Sequence, residues 1–138
     1  MYKKNNVIIW LLIFVYCIPS YATQDYKIIK WLDGNWEGMK YQTNTDKAWK
    51  IKLSCNSKKG IYRVEYSDLN CIGYLVLTNL KGKTAFFTEK IDKGSCVHDG
   101  YVIITLVTKN LISFTCLRDN KTRLASYCTI QKTNDDGG

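Results

Sequence analysis

The chain has 138 residues, 46% of them hydrophobic, and 20 lysines and arginines against 12 acidic residues give a formal net charge of +8. That length provides for one domain with one modest core. A single histidine, His98, and the absence of any C-x-x-C, H-E-x-x-H, G-x-S-x-G or Gly-rich phosphate loop leave no pattern for zinc, serine-hydrolase or nucleotide chemistry.

Lys3 and Lys4 precede an unbroken apolar run from Val7 to Ile18, and Ser20-Tyr21-Ala22 supplies a small-x-small cleavage pattern. Residues 1–22 therefore read as a signal peptide. Its twelve-residue apolar run falls short of the ~20 residues that a membrane-crossing helix needs. Cys17 belongs to this segment, and Ile18-Pro19 after it does not suit a lipoprotein. Without Lys3 and Lys4, 18 basic residues face 12 acidic ones, for a net charge of +6. The expected products are a single β-barrel domain over residues 23–132, a flexible polar tail over 133–138, no transmembrane segment after cleavage, and a periplasmic or secreted location.

Asp25 to Leu32 has apolar residues at 28, 29, 31 and 32, which predicts a short helix or 3-10 turn lidding one end of the domain. Trp36 to Gln42 follows as a strand. Lys47 to Cys55 alternates cleanly, with Trp49, Ile51, Leu53 and Cys55 on one face and Lys50, Lys52 and Ser54 on the other. In Ile61 to Ser67, Tyr62, Val64 and Tyr66 oppose Arg63 and Glu65. Cys71–Thr78 and Tyr101–Thr108 are apolar on both faces, so each is covered twice or lies against a partner. Thr84–Ile91 stands between them with Phe86 and Phe87 on opposite faces, and Leu111–Leu117 with Leu124–Gln131 forms a last hairpin.

Eight strands joined by turns too short for crossovers must pair antiparallel with their neighbours. The predicted fold is all-β, an eight-stranded antiparallel up-and-down barrel with a short N-terminal helix. Closure of this kind removes every exposed sheet edge. A two-sheet sandwich is the alternative.

An exported chain keeps five cysteines, and an oxidising compartment favours disulfides over metal. Cys71, at the start of one strand, and Cys96, in the corner before another, are the preferred bridge. Cys116 and Cys128 flank a hairpin turn and form a second candidate pair, leaving Cys55 over. Sequence does not fix the connectivity.

Gly34-Asn35-Trp36 opening such a meander resembles the calycins, the superfamily of lipocalins, fatty-acid-binding proteins and avidins. The resemblance implies that Trp36 plugs the barrel base, with Arg123 or Lys132 as its basic partner. A longer stretch resembles small extracytoplasmic bacterial domains: Tyr66-Ser67-Asp68-Leu69-Asn70-Cys71-Ile72-Gly73, Phe87-Thr88-Glu89-Lys90-Ile91 and Gly94-Ser95-Cys96-Val97-His98-Asp99-Gly100. Those fit Y-P-x-x-x-C-x-G, F-x-E-x-I and C-x-D-G-G, with Ser67 in place of proline. This second resemblance implies the Cys71–Cys96 pair and the barrel, and it brings no catalytic residues.

Among candidate chemistries, His98 with Asp99 reads as a turn, because adjacent residues do not converge as a triad does. Glu37, Glu65, Asp68 and Glu89 lack a cleft across which paired carboxylates could work. Glu89 is expected to order the corner near Gly94, through backbone N–H groups or by pairing with Arg63. No enzyme activity, cofactor or metal is expected. The favoured reading is a binding protein for an envelope or extracellular macromolecule, either a protein or an anionic component, acting as inhibitor, immunity or adhesion module. The charge favours an acidic partner. The alternative is a lipocalin-like carrier of a small apolar ligand. Trp36, Trp49, Tyr62, Tyr74, Phe86 and Tyr101 are the candidate ligand-binding residues. Export argues against nucleic acid.

Overall fold

The computed structural model of the protein describes residues 27–134, so the signal segment with Cys17, residues 23–26 and the last four residues of the tail lie outside the described residues. Eight strands run in chain order: β1 (Gly34–Gln42), β2 (Ala48–Asn56), β3 (Ile61–Tyr66), β4 (Cys71–Lys81), β5 (Thr84–Lys93), β6 (Tyr101–Thr108), β7 (Leu111–Arg118) and β8 (Arg123–Lys132). Each pairs antiparallel with the next, and β8 returns to β1, closing the barrel. The all-β meander read from alternation is the observed fold, and its architecture is consistent with the calycin arrangement.

Closure depends on Gly38. A Cβ there would lie 2.6 Å from Ile130 Cγ2 and 2.9 Å from the Thr129 carbonyl, so only glycine lets β1 approach β8 so closely. Turn chemistry fixes other corners. Asn56 Oδ1 accepts from the Lys59 N–H at 3.2 Å, and Gly60 turns the chain into β3 in the left-handed region (φ 64°).

The lumen is packed, not hollow. Trp36, Phe87, Phe114, Ile51, Leu53, Ile104, Ile112 and Ile130 are fully buried. Each large apolar side chain so buried contributes about 1.5–3 kcal/mol. At the base, Trp36 donates its indole N–H to the Leu32 carbonyl at 2.9 Å, and Ile29 and Leu32 close over it. Lys132 Nζ lies 5.2 Å from the Trp36 ring centroid, so Lys132 is the basic partner of the plug. Arg123 sits at the opposite end, paired with Asp119 at 2.5 Å.

Both ends of the described chain are tied to the barrel. The described part of the expected N-terminal helix is a single turn, closed by Leu32 N–H to Ile29 O at 2.9 Å. Ile29 and Leu32 need only that turn to reach the lumen, and Asp33 takes the Ser57 N–H (2.6 Å) and hydroxyl (2.9 Å). The chain thus enters β1 at once. Just past β8, the Thr133 N–H donates to the Asn35 carbonyl at 2.9 Å.

Candidate functional site

The six candidate residues do not converge on one pocket. Trp36, Trp49 and Tyr62 point into the barrel. Tyr62 packs edge-on against Phe87 (5.0 Å), and its hydroxyl is buried with no hydrogen-bond partner, as is the Trp49 indole N–H. Burial first, then Cys55 and Asp33 nearby, pushes the Tyr62 hydroxyl up to about 12. Tyr74, Phe86 and Tyr101 point outward on adjacent strands, with Phe86 stacked on Tyr101 at 6.2 Å. Phe86 and Phe87 do occupy opposite faces of β5.

Phe86 and Tyr101 belong to a larger surface, and Tyr74 on β4 lies beside it. Bounded by the outward-facing charges of Lys90 on β5, Arg123 on β8 and Glu37 on β1, the outward residues from β5 through β8 and onto β1 are Thr84, Phe86 and Thr88, then Tyr101, Ile103, Thr105 and Val107, then Leu111, Ser113, Thr115 and Leu117, then Tyr127, Thr129 and Gln131, then Met39 and Tyr41. None is charged. Register aligns them in rows, one of which crosses five strands: Phe86, Ile103, Thr115, Tyr127, Tyr41. A second links Thr88, Tyr101 and Leu117, and a third links Thr84, Thr105, Ser113 and Thr129. Aromatic and β-branched cross-strand neighbours of this kind support the sheet itself by a few tenths to 1 kcal/mol each.

The opposite wall has the contrary character. Glu37, Lys50, Lys52, Arg63 and Glu65 face outward from β1, β2 and β3. Glu37, Lys52, Arg63 and Glu65 line a shallow groove of about 330 Å³, in which Lys52 and Glu37 approach to 3.9 Å.

At the mouth, away from Trp36, a polar chain runs inside the barrel. Lys40 Nζ donates to the Tyr66 hydroxyl at 2.7 Å and lies 4.3 Å from the Tyr66 ring centroid, and the Tyr66 hydroxyl donates to Glu89 Oε1. All three side chains are buried. Burial, with Glu89 beside it, holds the Tyr66 hydroxyl well above its ordinary value. Glu89 therefore does not pair with Arg63, which faces out from the wall. The backbone of Glu89, not its carboxyl, holds the corner: its N–H donates to Gly100 O (2.8 Å), and its carbonyl accepts from the Asp99 N–H (2.9 Å). Lys40 and Glu89 were not expected as a pair, although both keep the inward phase, Lys40 with Trp36 and Glu89 with Phe87.

Cys71 and Cys96 are bonded, with Cα atoms 6.1 Å apart. Cys116 and Cys128 are not, which corrects the second expected pair. Register sets Cys116 opposite Ser126 and Cys128 opposite Phe114, so the two thiols are diagonal neighbours and not partners across a rung. Burial raises both, Cys128 to about 12, while Lys40 works the other way. Cys55 is also free and buried at the base.

The mouth corner uses its polar groups internally. The Ile91 N–H donates to His98 Nδ1 at 3.2 Å, Arg118 donates to the carbonyls of His98 (2.7 Å) and Val97 (3.1 Å), and Lys90 pairs with Asp99. Next to it, the β7–β8 turn places Asp119, Asn120 and Lys121 consecutively in the left-handed region (φ 50°, 55° and 71°). Such backbone costs on the order of 1 kcal/mol per non-glycine residue. It brings Lys121 Nζ to 4.0 Å from the Tyr101 ring centroid, at the edge of the uncharged wall.

Among the described residues, no group of His, Cys, Asp and Glu is arranged to hold a metal, and no helix is long and apolar enough to cross a membrane. No family model, curated protein or solved structure matches the chain.

Proposed function

We propose that this protein is an exported, non-enzymatic binding module that engages an acidic macromolecule of the envelope or the extracellular space. The observation that carries this reading is the segregation of charge. One wall of the barrel is uncharged and rich in aromatic and β-branched residues, although a solvated wall needs neither. The Cys71–Cys96 bridge is compatible with an oxidising compartment. His98 serves the fold of its own corner, and Lys40, Tyr66 and Glu89 are sealed inside the barrel, which favours binding over catalysis.

The carrier reading has less support, because the lumen is filled by its own side chains from Trp36 at the base to Tyr66 at the mouth. Native mass spectrometry of protein purified from its own host tests both readings. A stoichiometric protein or anionic polymer is the expected companion. A stoichiometric apolar small molecule would replace the proposal with the carrier, and a bare monomer recovered from the host would refute it.

A further inference from the structure

We infer that the uncharged wall of β5–β6–β7–β8–β1 docks a protein whose contact face has an apolar centre and an acidic rim. This rests on the binding reading above and adds the surface, its anchors and the class of partner. Five strands about 4.8 Å apart, with three to four outward rows about 6.8 Å apart, give a convex footprint of roughly 400–500 Å² that wraps more than half of the closed barrel, so the partner's face must be concave. With rim loops added, that approaches the ~800 Å² per partner of a standard interface.

The five-strand row of the wall holds Phe86, Ile103 and Tyr127, with Tyr101 in the next row toward Lys121, rigid side chains of the kind that dominate binding energy when desolvated. The rim is basic. Lys83 and Lys109 stand in the turns at one end, and Lys121 is held at the other by the strained left-handed turn. The nearby acids, Asp99 and Asp119, are already paired with Lys90 and Arg123. The net rim charge is thus left for a partner to meet, and complementary acids would steer its approach.

Two other occupants fit less well. A second copy would set lysine rims against lysine rims, since a two-fold interface joins the same patch to itself. A bilayer would have to take up the hydroxyls of Thr88, Ser113, Thr115 and Thr129, which lose water there without gaining partners. A facing protein can hydrogen-bond them.

The test places a photo-crosslinking amino acid singly at Ile103, at Tyr127 and, on the charged wall, at Lys52, in the full chain expressed in its own host. The expected result is one adduct protein from positions 103 and 127 and none from 52. That protein, once identified and purified, should be acidic. Ile103→Glu should weaken its binding at least 30-fold and Lys121→Glu about 10-fold, with circular dichroism and melting unchanged for both variants. Thr115→Lys serves as a second probe at the centre should Ile103→Glu fail to fold. Adducts from position 52 alone would remove this face while leaving a binding protein. No protein adduct from any position would overturn the face and the binding reading together. A basic partner, a sedimenting dimer abolished by Ile103→Glu, or binding to phosphatidylglycerol vesicles that Ile103→Glu abolishes would each replace the proposed occupant.

Discussion

The two walls of this barrel solve the same internal problem and present opposite faces to water. Behind both, alternate residues fill one lumen: Ile51, Leu53 and Val64 from the β2–β3 side, Phe87, Ile104 and Phe114 from the β5–β7 side. In front, β2 and β3 display Lys50, Lys52, Arg63 and Glu65, whereas β5 to β8 display threonines, aromatics and isoleucine. The fold depends on that choice only through cross-strand pairs worth a few tenths to 1 kcal/mol each, because outward positions of a closed barrel touch no core. A difference that folding does not require is where selection for something else can be read.

The largest effects should come from inside. Phe86 and Phe87 are the same residue type at consecutive positions of β5, one stacked on Tyr101 outside and one against Tyr62 inside. Phe87→Ala should cost about 3–5 kcal/mol in urea unfolding, as large-to-small changes in packed cores do. Phe86→Ala should cost about 1 kcal/mol or less, the value of a cross-strand pair. Equal losses at the two positions would mean that the outer wall is structural after all.

Next in size is the bridge that ties β4 to the mouth corner. Cys71 and Cys96 are 25 residues apart, so Cys71→Ser should lose roughly 3–4 kcal/mol in the chain-entropy model. Reducing the unaltered protein should reproduce that loss. Thiol titration of a chain starting at Thr23 should find none reactive in the folded state and three, from Cys55, Cys116 and Cys128, once unfolded. A count of one would show a second bridge among Cys55, Cys116 and Cys128.

A smaller effect concerns the polar chain at the mouth, and it depends on pH. Tyr66→Phe leaves Lys40 and Glu89 without the hydroxyl that links them, a loss of about 1–3 kcal/mol at neutral pH. Cys128, Tyr62 and Tyr66 all hold their protons more tightly folded than unfolded. Their contribution is therefore complete below pH 9 and is lost as pH rises toward 12 and beyond, where the unfolded chain releases protons that the folded one retains. The urea midpoint should stay level up to about pH 9 and then fall. Tyr66→Phe should lower the neutral midpoint and flatten the fall.

How much of this could be read in advance follows from which period each feature obeys. The strands and their inward faces were legible because alternation in β2, β3 and β5 is strict. The base plug was legible from Gly34-Asn35-Trp36, and the Cys71–Cys96 bridge from its place at a strand start and a corner. Two cysteines flanking a turn were not enough to settle a pair, since a bulge between Cys116 and Leu117 shifts the register that decides who faces whom. Lys40 and Glu89 were in phase with the core, yet a charged residue is ordinarily assigned to water, and the tyrosine that joins them lies on a third strand. The doubly apolar character of β6 is plain in the sequence, but the five-strand row it belongs to exists only once closure brings Tyr41 beside Tyr127.

The smallest effect is the sharpest test of the contrast between the walls. Thr105 and Thr129 lie in one outward row, with Ser113 between them. If that row is kept uncharged for a partner and not for the barrel, Thr105→Lys and Thr129→Lys should each change unfolding free energy by no more than about 0.5 kcal/mol, the range of surface substitutions that disturb no buried contact. Thr105 does share a hydroxyl contact with Thr84 at 3.1 Å, so its variant should sit at the unfavourable end of that range. Thr129→Lys, without such a contact, should be neutral. Larger losses at both sites would show that the barrel itself needs this face uncharged, and the charge asymmetry would then belong to stability and not to recognition.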